Sequence, residues 1–248
     1  REQLLAALAG EPTDGLPVWL LFPYHPTGYY VDVRRHPAYR PIHDLSAGRA
    51  IILNRRNLGA PLFAPGAGSA WDGRRLTTDE DLETFAAAAF ECDPGRLAAA
   101  LERSLPAYLQ ERAEFPPAYG AMMLDLGEPI GAVYHRSALE SLAIWSITHD
   151  RTVTGLLDRL MERHRAIYRF CLERDLADVY FMVGSELAAP PLVGHETFRR
   201  WVVPYAKELV DLVHGYGKRV IQHFHGQIRS LLPDFLEMGA DALHTIEA

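Results

Sequence analysis

The chain has 248 residues, of which 48% are hydrophobic and 23% charged, the composition of a soluble globular protein with a sizeable core. Its net charge of −7 provides no general attraction to nucleic acid or to an anionic membrane. The two cysteines, Cys92 and Cys171, form no CxxC motif, which argues against a disulfide scaffold and fits a reducing compartment. Because no run reaches the roughly 18 apolar residues of a membrane span, we expect a cytoplasmic protein without membrane contact.

The first segments predict a helix followed by a buried strand. Residues 2–9 have helical spacing and end at Gly10, a residue suited to a helix C-terminus. Residues 16–22 form a near-continuous apolar run, which is typical of a strand buried on both faces of a parallel sheet. The loop after this strand is aromatic, and its candidate substrate-binding residues are Tyr24, His25, Tyr29 and Tyr30. A surface loop with stacked tyrosines is the alternative.

Residues 31–75 predict an irregular excursion from the rest of the fold. Short strands at 49–54 and 59–63 favour an antiparallel pair within it. Several arginines make the region basic. They fit a patch for an anionic substrate or, as the interpretation we favour, a solvated face.

The middle of the chain predicts helices on both sides of one strand. This strand covers residues 121–126, and residues 127–131 form its exit loop. Asp125 near its end is a candidate substrate-binding residue; the alternative is that it caps the next element. The helices are predicted to begin near residue 77 and to cover 94–111, 136–149 and 152–174.

From residue 178 onward, strands alternate with helices. The predicted strands are 178–184, a short strand ending near His223, and 242–248; the predicted helices are 195–214, kinked at Pro204, and 228–238. This alternation indicates βαβ units and a parallel sheet. The sequence as given ends on a strand without a covering helix, so we expect a barrel that is incomplete at its C-terminus.

Polar side chains follow three consecutive strands at the end where a barrel binds its ligands. His223 and His225 are two residues apart, so on a strand their side chains point to one face and can meet. Glu186 follows the preceding strand, and His244 and Glu247 lie on the last one. A histidine pair with a carboxylate is the ligand set of an open catalytic zinc site, which predicts the following metal ligands: His223, His225, Glu186 and Glu247. The first three are also the candidate catalytic residues. The alternatives are a core histidine beside a surface histidine, and a surface carboxylate paired with an arginine.

Five stretches of the sequence resemble one superfamily: Leu16–Trp19, Pro190–Val193, Phe198–Tyr216, Gly217–Gly226 and Gly239–His244. They are similar to the uroporphyrinogen decarboxylase superfamily, which includes cobalamin-dependent methyltransferases. The resemblance implies an α/β fold of the TIM (β/α)8 barrel type, with residues 1–248 as a single domain.

The resemblance also distinguishes two branches of the superfamily. Decarboxylases have a loop after the first strand whose arginines hold the carboxylates of the substrate, whereas no arginine precedes Arg34 in this loop. Methyltransferases have His-x-Cys-Gly at the strand end, where this sequence has His223-x-His225-Gly226. By this resemblance, His223 is the first zinc ligand and His225 occupies the place of the cysteine. The methyltransferase branch is therefore the better match.

We expect zinc-dependent methyl transfer that involves a corrinoid protein or a small methylated compound. A decarboxylase or lyase that acts on a tetrapyrrole or another carboxylated substrate is one alternative. A non-catalytic corrinoid- or tetrapyrrole-binding protein is another. The cofactors implied are zinc and a corrinoid carried by a partner protein. The candidate partners are a small-molecule substrate, that corrinoid protein, and a second copy of the chain in a homodimer.

Overall fold

The computed structural model of the protein describes residues 1–21, 37, 40–46, 49–58, 73–88, 90–226 and 228–245. Within these ranges, six strands form one sheet: β1 (Val18–Leu21), β2 (Ala50–Arg56), β3 (Gly120–Asp125), β4 (Val179–Met182), β5 (Arg219–His223) and β6 (Ala242–His244). Each strand pairs in parallel with the next one in the chain. The sheet curls into a half-barrel with helices around it, which confirms the predicted TIM-barrel type of fold.

Of the helices in the described ranges, the first precedes β1, and the others follow strands on the outside of the sheet. They are α1 (Glu2–Leu8), α2 (Arg40–Leu45), α3 (Asp79–Ala86), α4 (Pro94–Glu102), α5 (Leu105–Glu114), α6 (Pro129–Tyr134), α7 (Leu139–Thr148), α8 (Asp150–Glu173), α9 (His195–Trp201), α10 (Val203–Gly215) and α11 (Leu232–Met238). Two short 3₁₀ helices cover Glu186–Ala188 and Arg229–Leu231. None of these helices combines the length and apolar character that a membrane span requires.

The alternation of side chains along each strand divides the core into two layers. On β4, Tyr180 and Met182 pack in the larger core cluster between the sheet and the helices, while Phe181 belongs to the cluster of the barrel interior. Leu4 of α1 packs into this interior cluster. Both faces of β4 are therefore buried, which explains why its sequence reads as a continuous apolar run.

Strand β2 corrects the prediction for the region around residue 50. Residues 49–54 were expected to belong to an antiparallel pair, but β2 lies between β1 and β3 and is parallel to both. Gly120 permits the close approach of β3, because a Cβ atom there would lie 1.8 Å from the carbonyl oxygen of Ile52. The second predicted strand of this region, at 59–63, lies outside the described residues.

Two helices predicted as single elements are each divided in two. The predicted helix 94–111 is α4 and α5, separated at Arg103 and Ser104, with Pro106 in the first turn of α5. The predicted helix 195–214 is α9 and α10, which are separated at Val202. Pro204 lies in the first turn of α10, where its missing N–H costs no helical hydrogen bond, so it begins a helix rather than kinking one. The predicted loop 127–131 is also shorter, because α6 begins at Pro129.

Candidate active site

Polar residues form the last layer of the barrel interior at the carboxyl ends of the strands. Each one lies two positions after a residue of the interior cluster, and a strand directs such a pair to the same face. Arg55 follows Leu53 in this way, Asp125 follows Met123, His223 follows Ile221 and His244 follows Ala242. The apolar interior therefore ends in a layer of charged and imidazole side chains.

Three imidazole rings, which we call the histidine cluster, lie close together at the ends of β5 and β6. His223 and His244 occupy paired positions of the two strands, and their Nδ1 atoms are 2.6 Å apart. The ring of His225 lies 4.6 Å from that of His223, nearly perpendicular to it. Between them, Phe224 is buried against Phe235 of α11, which places His225 on the same side as His223. The two histidines that the sequence predicted to converge are thus brought together.

Aromatic and cationic groups surround the histidine cluster. Phe181 lies 5.6 Å from the ring of His223, and Trp19 lies 4.9 Å from that of His244. The guanidinium of Arg55 lies over the ring of Phe181, 5.0 Å from its centre. Burial lowers the pKa of His244, and the electrostatic influence of His223, His225 and Arg55 lowers it further. These surroundings therefore favour the neutral form of the His244 ring.

Two carboxylates, which we call the carboxylate pair, lie on the other face of the sheet, between the strands and the helices. Glu128 precedes α6 and is only 2% exposed, and Glu186 begins the 3₁₀ helix after β4. One oxygen of Glu128 accepts long hydrogen bonds from Ser185, at 3.3 Å, and from Gln222, at 3.5 Å. Tyr134 donates a hydrogen bond to Glu186 at 3.5 Å. Among the described residues, the Oε2 atom of each carboxylate is buried without a hydrogen-bond partner.

The environment of Glu128 favours its protonated form. Burial raises its pKa to about 8, the nearby charge of Glu186 raises it as well, and the hydrogen bonds from Ser185 and Gln222 act in the opposite direction. A carboxyl group with this pKa carries a proton at neutral pH. Glu128 can therefore donate a proton, or a hydrogen bond, to a group that approaches its Oε2 atom.

A cavity of about 200 Å³ opens beside Glu128, at the carboxyl ends of β2, β3 and β4. Its polar lining comprises Arg55, Asn57, Asp125, Glu128, His135, Arg136 and His164. Arg55 donates hydrogen bonds from Nε and Nη2 to one oxygen of Asp125, with Nε at 3.0 Å. Burial lowers the pKa of His135, and it lowers that of His164 to about 4. The cavity thus offers one ion pair, a protonated carboxyl group and neutral imidazoles to a small polar ligand.

The predicted site residues do not all lie together. Glu186 lies with Glu128 and Tyr134, rather than in a cluster with the histidines that could bind a metal. In the described part of the chain, no three His, Cys, Asp or Glu residues are arranged to hold a metal ion. The remaining predicted residues lie outside the described ranges: Tyr24, His25, Tyr29, Tyr30 and Glu247. The zinc-ligand set therefore stays a prediction.

Two site residues were missed by sequence reasoning. Glu128 follows a predicted strand within three residues, the same signal that selected Glu186, but it was assigned to a plain loop. Arg55 was assigned to the excursion because the parallel pairing of β2 was not predicted. Its position two residues after the apolar Leu53, at a strand end, was the available signal.

Part of the chain matches a known family model. Residues 134–247, from the end of α6 to beyond β6, match the family model described as uroporphyrinogen decarboxylase (URO-D). The predicted superfamily resemblance is confirmed. The uroporphyrinogen decarboxylase match includes Glu186 and all three residues of the histidine cluster, whereas Arg55 and Asp125 lie before it.

A comparison of structures shows a shared fold. The chain is similar to a solved methyltransferase from Methanosarcina mazei with a TM-score of 0.62, over 97% of this chain and 74% of that one. The two sequences are 17% identical, so this likeness shows that the fold is shared. No curated protein matches the sequence.

Proposed function

We propose that this protein catalyses a zinc-dependent methyl transfer in which His223 and His225 hold the metal. The methyl group passes between a corrinoid protein, or a small methylated compound, and an acceptor heteroatom. The observation that carries the proposal is the pair of imidazole rings at the barrel mouth, 4.6 Å apart. A uroporphyrinogen decarboxylase-type fold shared with a methyltransferase supports it.

The chemistry of the donor set fits zinc. Imidazole nitrogen is a usual zinc ligand, and catalytic zinc sites leave one position open for water or substrate. The further protein ligand that we propose is Glu247, because Glu186 lies with Glu128 and Tyr134 on the other face of the sheet. When bound, zinc would supply a Lewis acid that lowers the pKa of a thiol or polarises another heteroatom of the substrate.

The residues around the histidines have separate tasks in this proposal. Phe181 and Trp19 exclude water from the side of the histidine cluster that faces the barrel interior. Arg55 and Asp125 bind polar groups of the substrate in the adjoining cavity. The loop that contains Tyr24 and Tyr30 would form the outer wall of the pocket.

Metal analysis of the purified protein tests this proposal. We expect about one zinc ion per chain in the wild type, and loss of that zinc in His223→Ala and in His225→Ala. His214→Gln is the matched control. It removes a histidine whose partner, Asp241, keeps its hydrogen bonds to Arg219 and to the backbone of Val220. A wild-type protein that binds no zinc would contradict the proposal.

The carboxylate pair favours a second candidate function, an acid–base lyase or decarboxylase that acts on a carboxylated substrate. In this reaction Arg55 would bind a substrate carboxylate in the cavity. The bond from the substrate carbon to its carboxylate would break, CO2 would leave, and the proton of Glu128 would pass to that carbon.

Turnover in the presence of a chelator separates the two candidates. Conversion of a porphyrinogen or another carboxylated substrate that persists in chelator, and that is lost in Glu128→Gln, would favour the lyase. Methyl transfer that chelator abolishes and added zinc restores would favour the first proposal.

A further inference from the structure

The contact between His223 and His244 depends on a well-defined strand end. The two residues are paired in the register of β5 and β6, and the backbone N–H of Phe224 donates a hydrogen bond to the carbonyl of His244 at 3.1 Å. The hydroxyl of Thr245 donates to the carbonyl of Phe224 at 3.1 Å. These two hydrogen bonds therefore fix the positions from which the two imidazole rings meet.

The distance between the two Nδ1 atoms limits the interactions that the rings of His223 and His244 can make. Two nitrogens that bind one tetrahedral zinc at about 2.05 Å lie roughly 3.3 Å apart. The Nδ1 atoms of His223 and His244 are 2.6 Å apart, so in this arrangement they are not two ligands of one ion. Two lone pairs would repel at this distance, and two N–H groups would clash. One proton therefore lies between the rings, with one nitrogen as donor and the other as acceptor.

We propose that His244 is a positioning residue that accepts the Nδ1–H of His223 and so leaves Nε2 of His223 as the nitrogen that binds a metal. The inference rests on the proposed function. In the opposite arrangement, a neutral His223 would carry its proton on Nε2 and could not use that nitrogen as a ligand. Histidine ligands generally donate their other ring N–H to a partner that fixes both tautomer and orientation. Here that partner is an imidazole on the neighbouring strand.

The surroundings of His244 hold its ring in place. Its ring lies between Trp19, at 4.9 Å, and Phe181, at 5.8 Å. The ring of His223 lies 4.9 Å from it and is tilted by 32°. These contacts keep the Nδ1 atom of His244 beside that of His223, where it can accept the hydrogen bond.

Two variants of His244 distinguish the effect of its hydrogen-bond acceptor from the effect of its size. In His244→Asn, the amide oxygen can take the place of Nδ1 as acceptor, whereas His244→Leu has nearly the same size and no acceptor. The first measurement is the ring tautomer of His223 in zinc-free protein, by ¹⁵N NMR of labelled histidine, with the signal assigned from the spectrum of His223→Ala. We expect protonation at Nδ1 in the wild type and in His244→Asn, and a loss of this preference in His244→Leu.

The second measurement is the affinity of the same proteins for zinc alone. Loss of such a partner typically weakens metal binding about 10- to 100-fold, which is the fall we expect for His244→Leu. The affinity of His244→Asn should stay close to that of the wild type. This rescue by an acceptor would not occur if His244 only filled space.

The possible failures are distinguishable. A wild-type His223 that carries its proton on Nε2, or zinc binding by His244→Leu that equals that of the wild type, overturns the positioning role while the proposed function stands. A wild-type protein that binds no zinc overturns the proposed function, and with it the role of His244 toward a metal, whatever the tautomer of His223.

Discussion

Two adjacent residues of β5 reach the two regions of the site: one contacts the carboxylate pair, and the other belongs to the histidine cluster. Gln222 points toward the helices and donates a hydrogen bond to Glu128, whereas His223 points into the barrel interior and meets His244. Burial acts on both regions, but it changes their pKa values in opposite directions. It raises the pKa of Glu128 and lowers that of His244.

This difference shows how burial assigns chemical roles. In a low dielectric the charged form is disfavoured, so an acid keeps its proton and a base loses its own. At neutral pH Glu128 can therefore donate a proton, while the neutral form of His244 offers a lone pair. The strand separates a proton donor from the imidazole side chains, which lie on its opposite face.

The largest effect that we predict concerns the alkaline side of the stability profile. The pKa of Glu128 is about 8 in the folded protein. Because an unfolded glutamate loses its proton near pH 4.5, the stability contributed by the neutral form is complete below that pH and is lost as the pH rises toward 8. Between pH 5 and pH 8.5 the free energy of unfolding of the wild type should fall by up to about 4 kcal/mol, a loss that Glu128→Gln should not show.

Urea unfolding of both proteins at the two pH values measures this difference. Glu140→Gln, which changes an exposed carboxylate on α7, is the matched control and should follow the wild type. Equal losses in the wild type and in Glu128→Gln would show that Glu128 ionises normally in the fold.

The second-largest effect that we predict concerns the acid side of the stability profile. Here stability is lost as the pH falls, rather than as it rises. His164 lines the same cavity, and its pKa falls to about 4 in the folded protein. Its neutral form contributes stability above its ordinary pKa, and this contribution is lost as the pH falls through about 4. From pH 7 to pH 4, His164→Gln should therefore lose about 3 kcal/mol less than the wild type does. Thermal unfolding across this range tests the expectation, which fails if the two profiles are parallel.

The smallest effect that we predict tests whether the histidine cluster and the carboxylate pair are independent of each other. Gln222→Leu removes a hydrogen bond to Glu128, which is worth roughly 1 kcal/mol, and should raise the pKa of Glu128 further without changing zinc content. His223→Ala should abolish zinc binding and leave the alkaline limb of the stability profile unchanged. The two variants need to be compared by metal analysis and by urea unfolding together. Zinc loss in Gln222→Leu would mean that the two faces are not independent.

Much of the sheet could be predicted from the sequence because its signals are local. The apolar runs of β4 and β5, and the His-x-His spacing after Gln222, depend only on the two-residue period of a strand. The same period brings His223 and His225 together. Element boundaries were less accurate, as at Val202, because helix ends depend on backbone angles that spacing alone does not determine.

The contacts that complete the site are not local. Arg55 meets Asp125, 70 residues away, and Gln222 meets Glu128, 94 residues away. Such pairs depend on the order of strands in the sheet, and the parallel placement of β2 was not predicted. The contact between His223 and His244 likewise depends on the register of β5 with β6.

X-ray absorption of the zinc-loaded protein tests the central claim most directly, because it identifies the ligands of the metal. The proposal predicts two imidazole nitrogens at about 2.0–2.1 Å from zinc in the wild type. The same measurement should show one imidazole in His225→Ala, where enough zinc remains at high zinc concentration, and two in the His214→Gln control. A zinc spectrum without imidazole scattering, or one that His225→Ala leaves unchanged, would contradict the assignment of His223 and His225 as the metal ligands.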